Sequence, residues 1–342
     1  MGRQLEDSLM NRAFDPGVQP AREGRSPTVS VIVPTLNEEQ NLPYVFERLP
    51  EGISEVILVD GGSVDRTVEV ARELHPPIKV VHQTRTGKGN ALACGFAASA
   101  GDILVMIDAD GSTDPSEIPR FIDALLAGAD YAKGSRFRPG GGSHDITRLR
   151  RLGNRGLNGI VNVLFGTRFT DLCYGYNAFW RSALPYLDLP DVDLPRSADG
   201  QKLWGDGFEI ETLITVRAAR HKLRIQEVAS VEFPRLHGVS NLNAVSDGIR
   251  VLRTIFREYR REKPQPSVPG PVGAASGAAP ATESAVPATE SAAPATESVA
   301  RPTNGHRAGT ERHGVPLSPL KIPAQRRSAP PRREVDVVTA EE

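Results

Sequence analysis

The sequence predicts an α/β domain in which a mostly parallel sheet is flanked by helices, with disordered segments at both ends. Three observations carry that expectation. Short β-branched runs alternate with stretches of helical periodicity. The runs are almost continuously apolar, as strands buried on both faces must be, rather than alternating as half-exposed strands are. Both termini lose large apolar residues and gain proline, glycine or charge.

Residues 1–27 are polar and without periodicity, so a disordered lead-in is expected and order begins near Thr28. The first strand is VSVIVPT (29–35) and the second EVILVDGG (55–62), followed by a helix within SVDRTVEVARELH (63–75). IKVVHQ (78–83) and DILVMIDAD (102–110) supply the third and fourth strands. Three later stretches read as helices: RLRRLGNRGLNGIVNVLFG (148–166), LWGDGFEIETLITVRAARH (203–221), entered at Asp206, and DGIRVLRTIFREYRREK (247–263). Beyond Lys263 the heptamers PATESAV, PATESAA and PATESVA repeat from Pro280. One proline in each rules out a coiled coil and makes 264–342 a disordered tail that ends in arginine clusters. One ordered domain is therefore expected, over 28–263.

Lys and Arg number 41 against 42 Asp and Glu, a net charge of −1 that gives no electrostatic footprint for nucleic acid. Cys94 and Cys173 stand far apart with no CxxC or Cys/His spacing, so neither a disulfide framework nor a zinc site is expected. No apolar run reaches the roughly 18–20 residues that a membrane-spanning helix requires, and MGRQLEDSLMNR has no signal-peptide core. The expected location is cytoplasmic, with the arginine-bearing helices at 148–166 and 247–263 suited to lie on the anionic inner face of a membrane or to pack on the domain.

Four loops at the carboxyl ends of the strands carry polar residues suited to one ligand, at the edge where parallel sheets bind theirs. They contribute Pro34, Asn37 and Glu38, then Asp60 to Asp65, then Gly87-Lys88-Gly89-Asn90, then Asp108 and Asp110. Each alone reads more readily as structure, since Ser63 or Asp65 suits a helix cap. Gly87-Lys88 lacks the Ser/Thr and upstream glycine of a P-loop, and no GxGxxG follows the first strand. An Asp-x-Asp at a strand end suits Mg²⁺ or Mn²⁺, which takes one or two carboxylates, keeps waters and completes its shell with phosphate oxygens.

The ordered set VSVIVPTLNEEQNL, EVILVDGGSVDRT, GKGNAL, DADGS, KGSRF, FGTRFTDLCYGYNAFWR, DGFEIETL and PRLHGVS spans about residues 28–245. On it the sequence resembles the family 2 glycosyltransferases with a GT-A (Rossmann-like) fold, and among them the polyprenyl-phosphate sugar transferases of the dolichol-phosphate mannosyltransferase type. The resemblance implies inverting, Mg²⁺- or Mn²⁺-dependent transfer from a nucleoside-diphosphate sugar to polyprenyl phosphate, in cell-envelope glycan or glycolipid synthesis. It implies that Asp60 and Glu38 hold the nucleoside, in the loops that also carry Pro34 and Asn37. Lys88 would lie near the diphosphate, Asp108 against ribose or metal, and Asp110 as direct metal ligand. The sequence departs from the family pattern at Gly61, at Ser112, at LCYGYN and at SNLN (240–243), where Ser-Lys-Leu is usual.

In the second half Arg136 and Arg235 fall in loops, where guanidinium groups clamp phosphate oxygens or serve only as surface charge; His237 beside them is a further candidate metal ligand. Asp206 with Glu209 three residues on imitates a capping box. The functional reading makes one of them, Asp206 first, the general base that removes an acceptor proton. RPGGGSHD (138–145) is expected to be a mobile loop over the site. The rival readings are transfer to a saccharide or small hydroxyl acceptor, a sugar-nucleotide pyrophosphorylase whose Gly-rich signature is absent, and a non-catalytic nucleotide-sugar-binding module recruiting partners through its tail.

Overall fold

The computed structural model describes residues 25–197, 202–239 and 244–262. The expected lead-in except for residues 25–27, the expected tail, and the SNLN stretch lie outside the described residues. The strands are β1 (Val29–Thr35), β2 (Glu55–Asp60), β3 (Lys79–His82), β4 (Ile103–Met106), β5 (Tyr131–Ser135), β6 (Gly142–Ser143), β7 (Asn177–Trp180), β8 (Ile225–Ala229) and β9 (Val231–Glu232). The helices are α1 (Leu42–Glu47), α2 (Thr67–Leu74), α3 (Lys88–Ala98), α4 (Ile118–Leu126), α5 (Arg148–Phe165), α6 (Leu184–Leu187), α7 (Ile210–Arg220) and α8 (Ala244–Arg260).

Seven strands form one sheet in the order β3-β2-β1-β4-β7-β5-β8, and only β7 runs against its neighbours. The central strands of the parallel half, β1, β2 and β4, are covered on both faces, which is why they are almost continuously apolar. Val31 and Val33 join α1, α2 and α4 in one layer, while Ile32 joins α3, α6 and α7 in the other. A third cluster, with Val161, Val216, Val251 and Ile255, packs α5 and α8 against the outer side of α7. Thr147 starts α5 by accepting the Arg150 N–H at 3.2 Å, and Gly166 ends it at φ +66°.

The order β3-β2-β1-β4 means the chain passes to the far side of β1 on its way to β4. The loops after β1 and β4 therefore diverge, and the crevice between them is where such sheets bind ligands.

Two expectations change. The helix expected from Asp206 begins instead at Ile210, because Glu209 turns its carboxylate back to the N–H groups of Gly205 and Gly207, at 3.0 and 3.2 Å. The 138–145 segment is stitched down rather than loose. Gly142 and Ser143 pair with Val231 and Glu232, and the Ser143 hydroxyl donates to Glu232. Cys94 and Cys173 are both free thiols. Among the described residues no helix is long and apolar enough to cross a membrane.

Candidate active site

Each strand of the parallel half delivers its acids differently. At the end of β1, Pro34 lines the crevice and Asn37 takes a left-handed conformation, φ +58°, that Asn tolerates better than most residues. Its N–H donates to Ser63 Oγ at 2.9 Å and its Oδ1 accepts from Val64 N–H at 2.8 Å, so Asn37 ties the first loop to the second. Asp60, buried at the end of β2, accepts from the N–H groups of Gly62 and Ser63, both at 3.1 Å. Burial would raise its pKa, but these donors and the Ser63 hydroxyl outweigh it and hold the carboxyl below its usual range.

Lys88 opens α3, and its position is set by a segment remote in sequence. A Cβ on Gly87 would overlap the Asp206 carbonyl and one on Gly89 the Gly205 carbonyl, so only glycine lets this turn press onto the 205–206 backbone. The Gly89 N–H then donates to Asp206 O at 2.8 Å. Lys88 Nζ lies 2.5 Å from Asp108 Oδ1 and 2.5 Å from Glu211 Oε1. Burial alone would lower the lysine's pKa, but the two carboxylates reverse this and hold it above its usual value. Burial, aided by Asp110 and Glu211, pushes Asp108 up to about 6 against the pull of Lys88.

Asp110 accepts the Ser112 N–H at 3.0 Å. The 233–237 loop folds over it: Phe233 N–H donates to Ser112 O, Leu236 N–H to Asp110 O, and His237 N–H to Asn41 Oδ1. From this loop Arg235 reaches Asp110 at 3.3 Å and Glu38 at 2.6 Å. Desolvation raises the pKa of buried Glu38, opposed by its bonds from Arg235 and Asn41.

The structure thus brings Glu38, Lys88, Asp108, Asp110 and Arg235 to one crevice. Pro34, Arg136 and Glu209 line the same cleft, but the charged groups among the remaining candidates are already taken up by partners of the chain itself. Arg136 is buried, forked onto Asp171 (2.6 and 2.9 Å) and Glu232 (2.9 and 3.0 Å). Both Asp206 oxygens are held by Arg85, at 2.8 and 3.0 Å, and Arg85 is itself anchored on the Asp191 and Leu194 carbonyls. The exposed His237 joins the loop through its backbone. Among the described residues, no three His, Cys, Asp or Glu side chains are grouped as a metal cage. The donor set of Asp108 and Asp110 instead fits a hard cation that shares its shell with phosphate and water.

The sequence reading missed Glu211 and Arg85. The signal was present in α7, whose residues 212–218 are all buried, so an acid at its second position needs a partner. Gly175 makes room for that partner, since a Cβ there would overlap Glu211 Oε1 and come within 3.3 Å of Lys88 Nζ. Gly175→Ala is expected to push Glu211 and Lys88 apart and slow transfer roughly a hundredfold, as a misplacement of about 1 Å does. Single-turnover rates beside thermal melts check this.

The glycosyl transferase family 2 model matches residues 30–187. Glycosyltransferase AglJ of Haloferax volcanii is 32% identical over 242 residues, 69% of this chain and 73% of that protein. Polyprenol monophosphomannose synthase of Mycolicibacterium smegmatis is 33% identical over 237 residues, 66% of this chain and 85% of that protein. The chain belongs to glycosyl transferase family 2. Its sheet matches that of solved GT-A glycosyltransferases. Glucosyl-3-phosphoglycerate synthase from Mycobacterium tuberculosis, solved with Mn²⁺, UDP and glucosyl-3-phosphoglycerate, aligns with a TM-score of 0.53 and 26% identity over 70% of this chain and 81% of that one. As a family 2 glycosyltransferase the chain carries these acids at the switch point between β1 and β4, where open parallel sheets bind ligands.

Proposed function

We propose that the chain transfers a sugar, with inversion, from a nucleoside-diphosphate sugar to polyprenyl phosphate, at the cytoplasmic face of a membrane, in cell-envelope glycan or glycolipid synthesis. The observation that carries this reading is the shape and polarity of one cleft of about 640 Å³. Its lining takes in Lys88, Asp108, Asp110 and Arg235 and, from α5 and α8, Leu149, Leu157 and Val251 interspersed with Arg150, Asn154, Asp247 and Arg250. A charged site joined in one cleft to helix walls that mix leucine and valine with arginine suits an acceptor with an anionic head and a hydrocarbon tail.

The acids support the same acceptor. Asp206 is held by Arg85 and Glu209 by two backbone N–H groups, so neither is poised to take a proton. A phosphate monoester needs no base, being largely anionic at neutral pH, whereas a hydroxyl does. A divalent cation, Mg²⁺ or Mn²⁺, would be held by Asp110 with Asp108 and would neutralise charge on the leaving diphosphate. Lys88 and Arg235 orient the diphosphate, and Glu38 together with the 61–63 turn that Asp60 holds would meet the nucleoside. Membrane contact is supported by exposed Leu149, Leu152 and Val163 on α5, flanked by Arg148, Arg151 and Arg155, and by Phe256 and Tyr259 on α8.

Mass spectrometry of the full chain with UDP-glucose or GDP-mannose, Mg²⁺ or Mn²⁺, and polyprenyl phosphate tests the proposal. A sugar-phosphate-linked polyprenol is expected. Glycosylation of 3-phosphoglycerate or a saccharide with none of the lipid would replace it with the hydroxyl-acceptor reading.

A further inference from the structure

Both acids of the Asp108-x-Asp110 pair already have a cationic partner from the chain itself, and the two partnerships differ in kind. Lys88 is held from two sides, by Asp108 and Glu211 at 2.5 Å each, and its side chain is 14% exposed. Arg235 is divided between Glu38 at 2.6 Å and Asp110 at 3.3 Å, with its side chain 22% exposed on a loop. The Asp110 contact is the longest of these four ion pairs. The loop has anchors that do not depend on it, because Leu236 N–H donates to the Asp110 carbonyl and His237 N–H to Asn41. The Arg235 Nε–H also donates to His237 O at 2.6 Å, which keeps the guanidinium over the crevice whichever anion its Nη groups face.

A divalent cation arriving alone must therefore take Asp110 from a guanidinium that gains no new anion in exchange. A cation arriving with a diphosphate brings the replacement partner with it, in the planar geometry that arginine grips best. We propose that Arg235 exchanges the Asp110 carboxylate for the donor's diphosphate, and so makes tight metal binding conditional on the nucleotide. This rests on the reading of Asp110 as a metal ligand given above.

Removal of the guanidinium consequently has opposite effects on the two ligands. Metal alone binds better because Asp110 is free; the nucleotide binds worse because its phosphate loses a partner. Coupling between binding sites is reciprocal, so whatever factor Mn²⁺ adds to nucleotide affinity the nucleotide adds to Mn²⁺ affinity, ordinarily about 5- to 150-fold. A loop pin that never leaves Asp110 would instead give an arginine variant with a disordered loop and weaker binding of both.

The test is a titration of full-length protein with Mn²⁺, followed by the electron-paramagnetic signal of free Mn²⁺, alone and with UDP or GDP. Wild type is compared with Arg235→Met, and circular dichroism and melting confirm the fold. Expected are a roughly fivefold or greater gain in affinity for Mn²⁺ alone in Arg235→Met, and a coupling factor between Mn²⁺ and nucleotide smaller by a similar amount. Unchanged or weaker binding of Mn²⁺ alone by the variant, with wild type binding Mn²⁺ in the presence of nucleotide, would overturn the exchange while leaving the metal site standing. Failure of wild type to bind Mn²⁺ even with either nucleotide would remove the metal reading itself, and the exchange with it. Arg235→Lys, whose point charge does not bridge Glu38 and Asp110, takes the place of Arg235→Met if that variant does not fold, with the same expected direction and the same overturning result.

Discussion

Asp206→Ala is expected to lower the melting temperature on the order of 10 °C and to remove activity only as a consequence. Its side chain is 2% exposed and that of Arg85 3%, and the two form a forked pair at 2.8 and 3.0 Å. Removing one member of such a pair leaves the other charge buried and uncompensated, which costs about 3–5 kcal/mol. In a domain of this size each kcal/mol lowers the midpoint by about 2–4 °C. The same residue's backbone carbonyl receives the turn that carries Lys88, so local loosening also moves Lys88 from Asp108. Thermal unfolding followed by circular dichroism, with turnover measured well below the midpoint, separates the roles. A variant that melts like wild type yet turns over at least a hundredfold more slowly would return Asp206 to the part of general base.

Asp110→Ala is expected to behave in the opposite way. The carboxylate is 22% exposed, and its side-chain partners are the Ser112 N–H and the long contact to Arg235, so the melting temperature should move little. Its proposed work is electrostatic. Loss of a metal's charge stabilisation is worth several kcal/mol, and about 4 kcal/mol corresponds to roughly a thousandfold in rate. Steady-state transfer across a range of Mg²⁺ and Mn²⁺ concentrations, together with Mn²⁺ binding, checks the effect. Turnover within a factor of a few of wild type would place the metal elsewhere.

Sequence pattern was most informative where a property is local. The strands β1, β2 and β4 are recognisable because a doubly covered strand is apolar at most of its positions, and the acids at their ends follow once the strands are placed. β5, β7 and β8 gave no such signal. YAKGS, NAFW and IQEVA contain Lys133, Asn177, Gln226 and Glu227, and buried Lys133 donates to the Tyr174 carbonyl at 3.1 Å, near the Asp171 and Glu227 carboxylates. The site residues divide in the same way. Lys88, Asp108 and Asp110 meet because the loops that carry them share one sheet edge. Asp206 and Arg136 looked available because their partners are remote in sequence, 121 residues away for Arg85 and 96 for Glu232. Burial of a charge by a distant opposite charge leaves no periodicity to read.

The cover over Asp110 also has a consequence for synthesis. Arg235 lies 125 residues after Asp110, and Leu236 and His237, which close over the same acid, follow it. At about 5–20 residues per second, the ribosome delivers Asp110 roughly 6–25 s before Arg235. During that interval β1 to β4 can assemble as a parallel unit, since their pairings lie within residues 29–106. Their acids then face solvent without Arg235, without Glu211, and without the β8 strand that completes the far edge of the sheet. A nascent chain stalled before α7 therefore carries the Asp108 and Asp110 side of the crevice and the α5 wall, but neither Glu211, Arg235 nor α8, and the crevice is completed only with the last quarter of the ordered domain.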